Sequence, residues 1–352
     1  VNEELAKRLC QNGHPVIFLT SGFVGSKSEE IINNYKVIRL GNRWTVYWKA
    51  YRYYKKNLIG WPDLIIDEMN TIPFFCKYYV KEKNILLSYQ LCREIWFYQM
   101  QYPLSILGYL LEPLYLKLLN DRYVLTESKS TKDDMQKYGF NKDKIFIFPI
   151  GLEQKQLEVN EFNNFQKEQK STLLYFGSIR KMKQPNQILE AFEIAKKSIA
   201  DLQFWVAGSG NGRYARKFFR QINNSIYKCD INYFGVVDQV KKVELMSRAH
   251  LIVVTSIKEG WGIIVTEANR QGTPAVVYNV DGLRDSCKHK KTGLVTAENT
   301  PCNLAKNIVL LFRNKKLYNQ FRINALEESK FYNYDNSYKI FLDHILKIKE
   351  KV

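Results

Sequence analysis

The chain has 352 residues, 45% of them hydrophobic and 14% aromatic, which suits two α/β domains and excludes a disordered polymer. Its 53 Lys and Arg against 35 Asp and Glu leave a formal charge of +18, which calls for an anionic partner: phosphorylated substrate, acidic membrane surface or nucleic acid. Six cysteines without a CxxC pair argue against a zinc site or disulfide framework and fit reduced cytoplasmic thiols, and no signal peptide or membrane-spanning run is present.

Residues 2–12 read as a helix closed by Gly13-His14, followed by a strand over 15–20 and another over 35–40. Opening inside a helix implies a preceding strand and its glycine turn upstream of Val1. The segment Trp44 to Asn57 is aromatic and basic at helical spacing. It reads as a nucleic-acid stacking surface or as a helix with its rings packed inward and Lys and Arg in water. Strands follow over 63–67 and 84–88, then a polar and aromatic stretch over 92–100. Tyr102 to Leu119 is the most apolar helical stretch, interrupted by Glu112, Pro113 and Lys117. It suits a buried core helix or a membrane interface beside basic residues. A strand over 123–127, a helix over 130–138 and a strand over 144–148 complete this half. The alternation predicts a parallel sheet covered on both faces.

Residues 152–170 are polar and aperiodic and read as a linker. A second α/β run begins with a strand over 172–176 that ends in Gly177-Ser178-Ile179-Arg180-Lys181-Met182-Lys183, a glycine turn with cations placed before a helix at 186–198. The strand 202–207 ends in Gly208-Ser209-Gly210, the strand 231–234 in Gly235-Val236-Val237, and a helix spans 239–248. The buried strand at Leu251–Val254 leads through Glu259-Gly260-Trp261-Gly262 into a helix from Ile263 and a strand at 275–278. In this βαβ unit Glu267 lies one turn into the helix, so that both carboxylates, Glu259 and Glu267, and the free N–H groups of residues 260–262 face one ligand. Such a set suits a molecule carrying hydroxyls and phosphates. Helices at 303–313, 316–329 and 337–349 end the chain.

Together, Gly177…Lys183, Gly208-Ser209-Gly210 and Glu259-x7-Glu267-Ala268 resemble the nucleotide-sugar half of the retaining glycosyltransferases of family 4, the glycosyl transferases group 1. The likeness extends over nearly the whole chain, including 6–20, 126–139, 148–151, 183–192, Asp281-Gly282-Leu283-Arg284-Asp285 and Thr292-Gly293-Leu294. It implies a GT-B fold: an N-terminal acceptor-binding Rossmann-like domain over 1–151, its first strand lacking, a linker over 152–170, a nucleotide-sugar domain over 171–330, and a helix over 331–352 that crosses back. It implies catalytic roles for Glu259, Lys183 and Arg180, with Glu259 on the donor sugar and Lys183 on the diphosphate. Substrate binding falls to Glu267, Gly260, Trp261, Gly262, Gly177, Ser178, Gly208, Gly235, Val236 and Tyr89. Glu267 is expected on the ribose and Gly235 with Val236 beside the base.

Ser178 stands where the family often has arginine, and Tyr89 where many members have histidine. The implied reaction moves a hexose from a nucleotide diphosphate sugar to a hydroxyl acceptor with retention and without a metal or cofactor. The acceptor, a glycan or lipid-linked molecule, is expected near Tyr89, Arg93 and Glu94. Charge and the Tyr102–Leu119 helix suit peripheral contact with an anionic inner membrane face. A catalytically impaired sugar-nucleotide-binding protein is the alternative; a nucleic-acid binder ranks last, and no nucleic-acid partner is expected.

Overall fold

The structure is a computed structural model and describes residues 2–158, 162 and 166–351. Three sheets organise it. The first holds β1 (Ile17–Thr20), β2 (Glu29–Ile32) and β3 (Tyr35–Arg39) in the order β1-β3-β2. The second holds β4 (Ile65–Glu68), β5 (Asn84–Leu87), β6 (Val124–Thr126) and β7 (Ile145–Ile147), all parallel and in sequence order. The third holds β8 (Thr172–Phe176), β9 (Gln203–Ala207), β10 (Ile231–Tyr233), β11 (Leu251–Val254), β12 (Ala275–Val277) and β13 (Gly293–Val295). Its order, β10-β9-β8-β11-β12-β13, is the doubly wound one, with the chain reversing direction across the sheet between β8 and β11.

The apolar runs of the third sheet are continuous because both faces are covered. Leu173, Tyr175, Phe204 and Val253 face a core with Phe192 and Leu304, whereas Leu174, Trp205, Ile252 and Val254 face another with Val265 and Ala268. β5 divides in the same way. Leu86 meets Leu116, Leu119 and Met135, while Ile85 and Leu87 meet Leu5 and the C-terminal helix Tyr334–Lys351 through Phe341 and Ile348. That last helix therefore packs on the second sheet, not the third.

Several expectations need correction. β2 runs antiparallel to β3, so the N-terminal half is not wholly parallel. Its hairpin turns at Asn33 and Asn34, both at positive φ, a conformation asparagine tolerates well. The amphipathic helix Gly212–Asn224 has no counterpart in the sequence reading. The aromatic helix is Val46–Asn57, and the rings of this segment do not all turn inward: Tyr54 is buried, but Trp48 on the helix and Trp44 just before it are exposed. The helix Leu104–Leu119 is buried on one face only. Ser105, Glu112, Tyr115, Leu116 and Leu119 face the protein, while Leu107, Leu110, Leu111, Leu114 and Leu118 stand in solvent. Of the segment read as a linker, Leu152 and Gln154 are buried, and residues 159–161 and 163–165 lie outside the described set.

Candidate active site at the strand ends

The carboxyl ends of β8, β9 and β10 are tied together at three glycines. The Gly177 N–H donates to Ala207 O at 2.9 Å and the Gly208 N–H to Gly235 O at 2.7 Å. All three have positive φ, and a β-carbon on Gly208 would collide with the Gly177 carbonyl. The row forms a bare peptide floor that runs from β8, beside the switch point, to the sheet edge at β10. Tyr175 O–H donates to Ser178 O at 2.8 Å, holding the turn in which Ser178 lies. Val236, at the end of the row, is exposed.

Lys183 is set by main-chain and hydroxyl bonds. The 3-10 turn Lys181–Lys183 follows the strand end, and the Ile257 N–H donates to Met182 O at 3.0 Å. Thr255 Oγ1 donates to Gln184 O at 2.9 Å and Lys183 O at 3.1 Å. The loop after β11 is thereby stitched to the loop after β8, and Lys183 Nζ forms an ion pair with Glu259 Oε1. Arg180 is exposed and in no ion pair among the described residues.

Glu267 lies in the helix Ile263–Asn269, which starts at Gly262. A β-carbon on Gly262 would stand 2.8 Å from Leu283 Cδ2, and φ there is +80°, so glycine is required twice over. Glu267 Oε1 pairs with Lys242 Nζ at 2.6 Å. Lys242 comes from the helix Gln239–Arg248 and sits 5.4 Å from the Phe176 ring centroid. Sequence reasoning missed this lysine. It belongs to no motif, and only the fold brings it to the carboxylate.

Two expected site residues present main chain, not side chain. The Trp261 indole is buried against Ile150, Leu152 and Tyr332, and its Nε1–H donates to Thr266 Oγ1 at 2.8 Å. The Tyr89 hydroxyl bonds Asn2, and burial raises its pKa. The Tyr89 carbonyl accepts from Thr131 Oγ1 at 2.9 Å, and a β-carbon on Gly260 would lie 2.7 Å from it. Gly260 thus marks where the N- and C-terminal halves touch at backbone level. Arg93 stacks on Tyr109, with its guanidinium carbon 4.1 Å from the ring centroid, and Nη1 donates to Tyr109 O at 3.0 Å. Glu94 is exposed.

Lys258 fastens the two halves beside this contact. It is buried, 2.6 Å from Asp134 Oδ2 on the helix Lys129–Lys137 and 3.3 Å from Asp281 Oδ2. Burial works against the Lys258 ammonium, yet the two carboxylates outweigh it and raise its pKa. Burial likewise opposes the Asp134 carboxylate, but bonds from Lys137 and Lys258 hold its pKa below the ordinary value. Asp285 adds a bond by accepting the Ser130 N–H at 3.1 Å.

Residues 156–328 match the family model described as glycosyl transferases group 1. That segment belongs to this family. The group 1 segment contains every strand of the third sheet and both lysine–carboxylate pairs. An uncharacterised glycosyltransferase of Methanocaldococcus jannaschii is 26% identical over 203 residues, 54% of this chain and 51% of that protein. The N-acetyl-alpha-D-glucosaminyl L-malate synthase of Bacillus anthracis is 22% identical over 60% of this chain and 52% of its own. The chain thus spans about half the length of the curated relatives it matches. Among solved structures, sucrose-phosphate synthase from Thermosynechococcus elongatus aligns with a TM-score of 0.76 at 15% identity, covering 100% of this chain and 93% of that one. The lipopolysaccharide-biosynthesis glycosyltransferase WaaG aligns at 0.72 with 19% identity, over 96% and 93%. These likenesses are of fold, and the fold is GT-B. Among the described residues no three His, Cys, Asp or Glu side chains converge as a metal site would need, and no helix is long and apolar enough to cross a membrane.

Proposed function

We propose that the protein is a retaining hexosyltransferase of glycosyltransferase family 4 that moves a hexose from a nucleotide diphosphate sugar to a hydroxyl of a glycan or lipid-linked acceptor. The observation that carries this reading is the pair of lysine–carboxylate contacts, Lys183 with Glu259 and Lys242 with Glu267, above a glycine floor beside the switch point. Glu267 accepts the ribose hydroxyls, and Gly235 and Val236 flank the base. Gly177, Ser178 and Gly208 let the diphosphate approach the backbone.

In this scheme Lys183 and the exposed Arg180 neutralise the diphosphate, so that Lys183 exchanges Glu259 for phosphate oxygens. Glu259, released, accepts a sugar hydroxyl together with the N–H groups of Gly260, Trp261 and Gly262. Charge developing on the departing phosphate is then met by fixed cations. The bond from the anomeric carbon to the phosphate oxygen breaks, and that oxygen takes the acceptor's proton. The acceptor oxygen bonds to the same face of the sugar, and no divalent ion enters the scheme.

Residues 1–151 are assigned to acceptor binding and 171–330 to the donor, joined by 152–170, with 331–352 returning to the first half. The exposed leucines of Leu104–Leu119 and the exposed Trp44 and Trp48 support peripheral contact with an anionic membrane, the net charge of +18 adding attraction. The test is a thermal-shift and turnover screen against UDP-, GDP- and ADP-sugars, with Glu267→Ala as control. Hydrolysis of one donor, abolished in the variant, is the expected result. Stabilisation without turnover for any donor and acceptor would replace the transferase by a sugar-nucleotide-binding protein. No response to any donor would overturn both.

A further inference from the structure

The helix Gly212–Asn224 buries Ala215 and Phe218 and rests Tyr214, Phe219 and Ile222 on the core. Its opposite face carries Arg213, Arg216, Lys217 and Arg220, at spacings of three, four and seven residues, which stack four cations into one stripe. With Lys181 and Tyr214 they line an open cavity of about 780 Å³ that has no acidic side chain in its wall. None of the five cations forms an ion pair among the described residues. Like charges at these spacings repel, and solvation alone would be served as well by alternating signs.

The cavity has a definite place. Lys181 adjoins Arg180 in the donor loop, and its ammonium lies 5.1 Å from the Tyr98 ring centroid, which belongs to the N-terminal half. The Ile179 N–H donates to Ser209 O at 2.7 Å, so the loop leading into the helix is fixed to the same turn. The cations therefore lie beside a contact between the two halves, on the face of the third sheet opposite to the one covered by the helices that carry Lys242 and Glu267. Three of them are arginines, whose planar forks match phosphate or carboxylate oxygens two at a time.

We propose that Lys181, Arg213, Arg216, Lys217 and Arg220 form a binding site for a phosphate-bearing polyanion, separate from the donor's diphosphate site. That this anion is the charged end of the acceptor rests on the transferase reading; the site itself does not. The phosphate belongs to a lipid headgroup or to a phosphorylated glycan.

Calorimetric titration with inorganic tripolyphosphate tests the site in the wild type, in Arg213→Gln/Arg216→Gln/Arg220→Gln and in Lys183→Ala. These arginines are exposed, so the triple variant should melt like the wild type. Tripolyphosphate should bind the wild type, weaken with salt, and lose about 30-fold or more in affinity in the triple variant but little in Lys183→Ala. Equal affinity in the triple variant, or a loss as large in Lys183→Ala, overturns the proposal, as does a wild type that does not bind. The triple variant should keep its thermal shift with the donor. A wild type that binds tripolyphosphate but no donor would overturn the transferase reading alone. Vesicles of phosphatidylcholine with phosphatidic acid, offered as competitors, separate the sources: competition assigns the phosphate to a lipid, and its absence, with tripolyphosphate still bound, to a soluble or glycan-borne group.

Discussion

Replacing Lys258 by methionine should loosen the join between the halves without emptying space. Methionine fills the volume of the lysine stem, so the loss is electrostatic and not a cavity. Breaking a buried ion pair generally costs about 3–5 kcal/mol, because a carboxylate is left without its partner. Here Asp134 keeps Lys137 at 2.7 Å, and Asp281 keeps Arg284, so the lower end applies, about 3 kcal/mol. Spread over the unfolding entropy of a chain this size, that is a fall of about 4 °C in Tm. The assay is urea unfolding of Lys258→Met, Asp134→Asn and the double variant, with the coupling energy read from the cycle. The Asp134 carboxyl titrates below its unfolded value of 3.8, so its contribution is complete above that pH and vanishes as pH falls through the folded value. The gap between wild type and Lys258→Met should accordingly close in acid. A variant within about 0.5 kcal/mol of wild type at neutral pH, or a gap unchanged in acid, would refute the reasoning.

Three further outcomes are expected. Gly208→Ala places a methyl group against the Gly177 carbonyl at a φ of +134°, so it should cost about 2–4 kcal/mol and remove donor binding, read by thermal shift. His250 accepts the Thr172 N–H on Nδ1 at 3.1 Å, and burial, with Lys167 and Arg322 nearby, lowers its pKa from 6.5 to about 4. A depressed histidine contributes stability that is complete above 6.5 and is lost as pH falls through about 4, about 3 kcal/mol in all. His250→Asn should flatten that part of the profile, whereas an NMR titration with a midpoint near 6.5 would contradict the assignment. Leu110→Ser/Leu114→Ser should reduce sedimentation with anionic vesicles by about tenfold while leaving the melting temperature within a degree or two, since both side chains are exposed. Unchanged sedimentation would remove the membrane from the proposal.

The sequence made the third sheet readable because most of its strands are short continuous apolar runs and three of them lead into glycines, a pattern set locally. That Glu259 stands in the loop and Glu267 in the helix was legible for the same reason, because both positions follow from one strand–loop–helix unit. Their partners were less so. Lys183 stood in a basic turn, but Lys242 and Lys258 reach their acids only through contacts distant in sequence, which no local pattern records. β2 escaped because its Glu-Glu-Ile-Ile run has no period-two alternation and forms a largely uncovered edge strand, held by Lys36–Glu29 and Arg39–Glu30 pairs rather than by burial. The Gly212–Asn224 helix escaped although Tyr214, Ala215, Phe218, Phe219 and Ile222 recur at helical spacing, because the glycines before it read as a turn and its charges as a surface. On Leu104–Leu119 the composition was plain, but which leucines would remain uncovered depends on packing against Trp96 and against the second sheet at Leu86.

The two lysine–carboxylate contacts impose a condition on whatever enters the site. A free hexose finds Glu259 already engaged, and a bare diphosphate that takes Lys183 leaves the half-buried Glu259 without its cation. Only a molecule that brings anion and hydroxyls together satisfies both members of each couple. Under the transferase reading, fragments of the donor should each bind poorly and the intact donor far better than their sum, so that the empty site rejects the broken pieces of its own substrate.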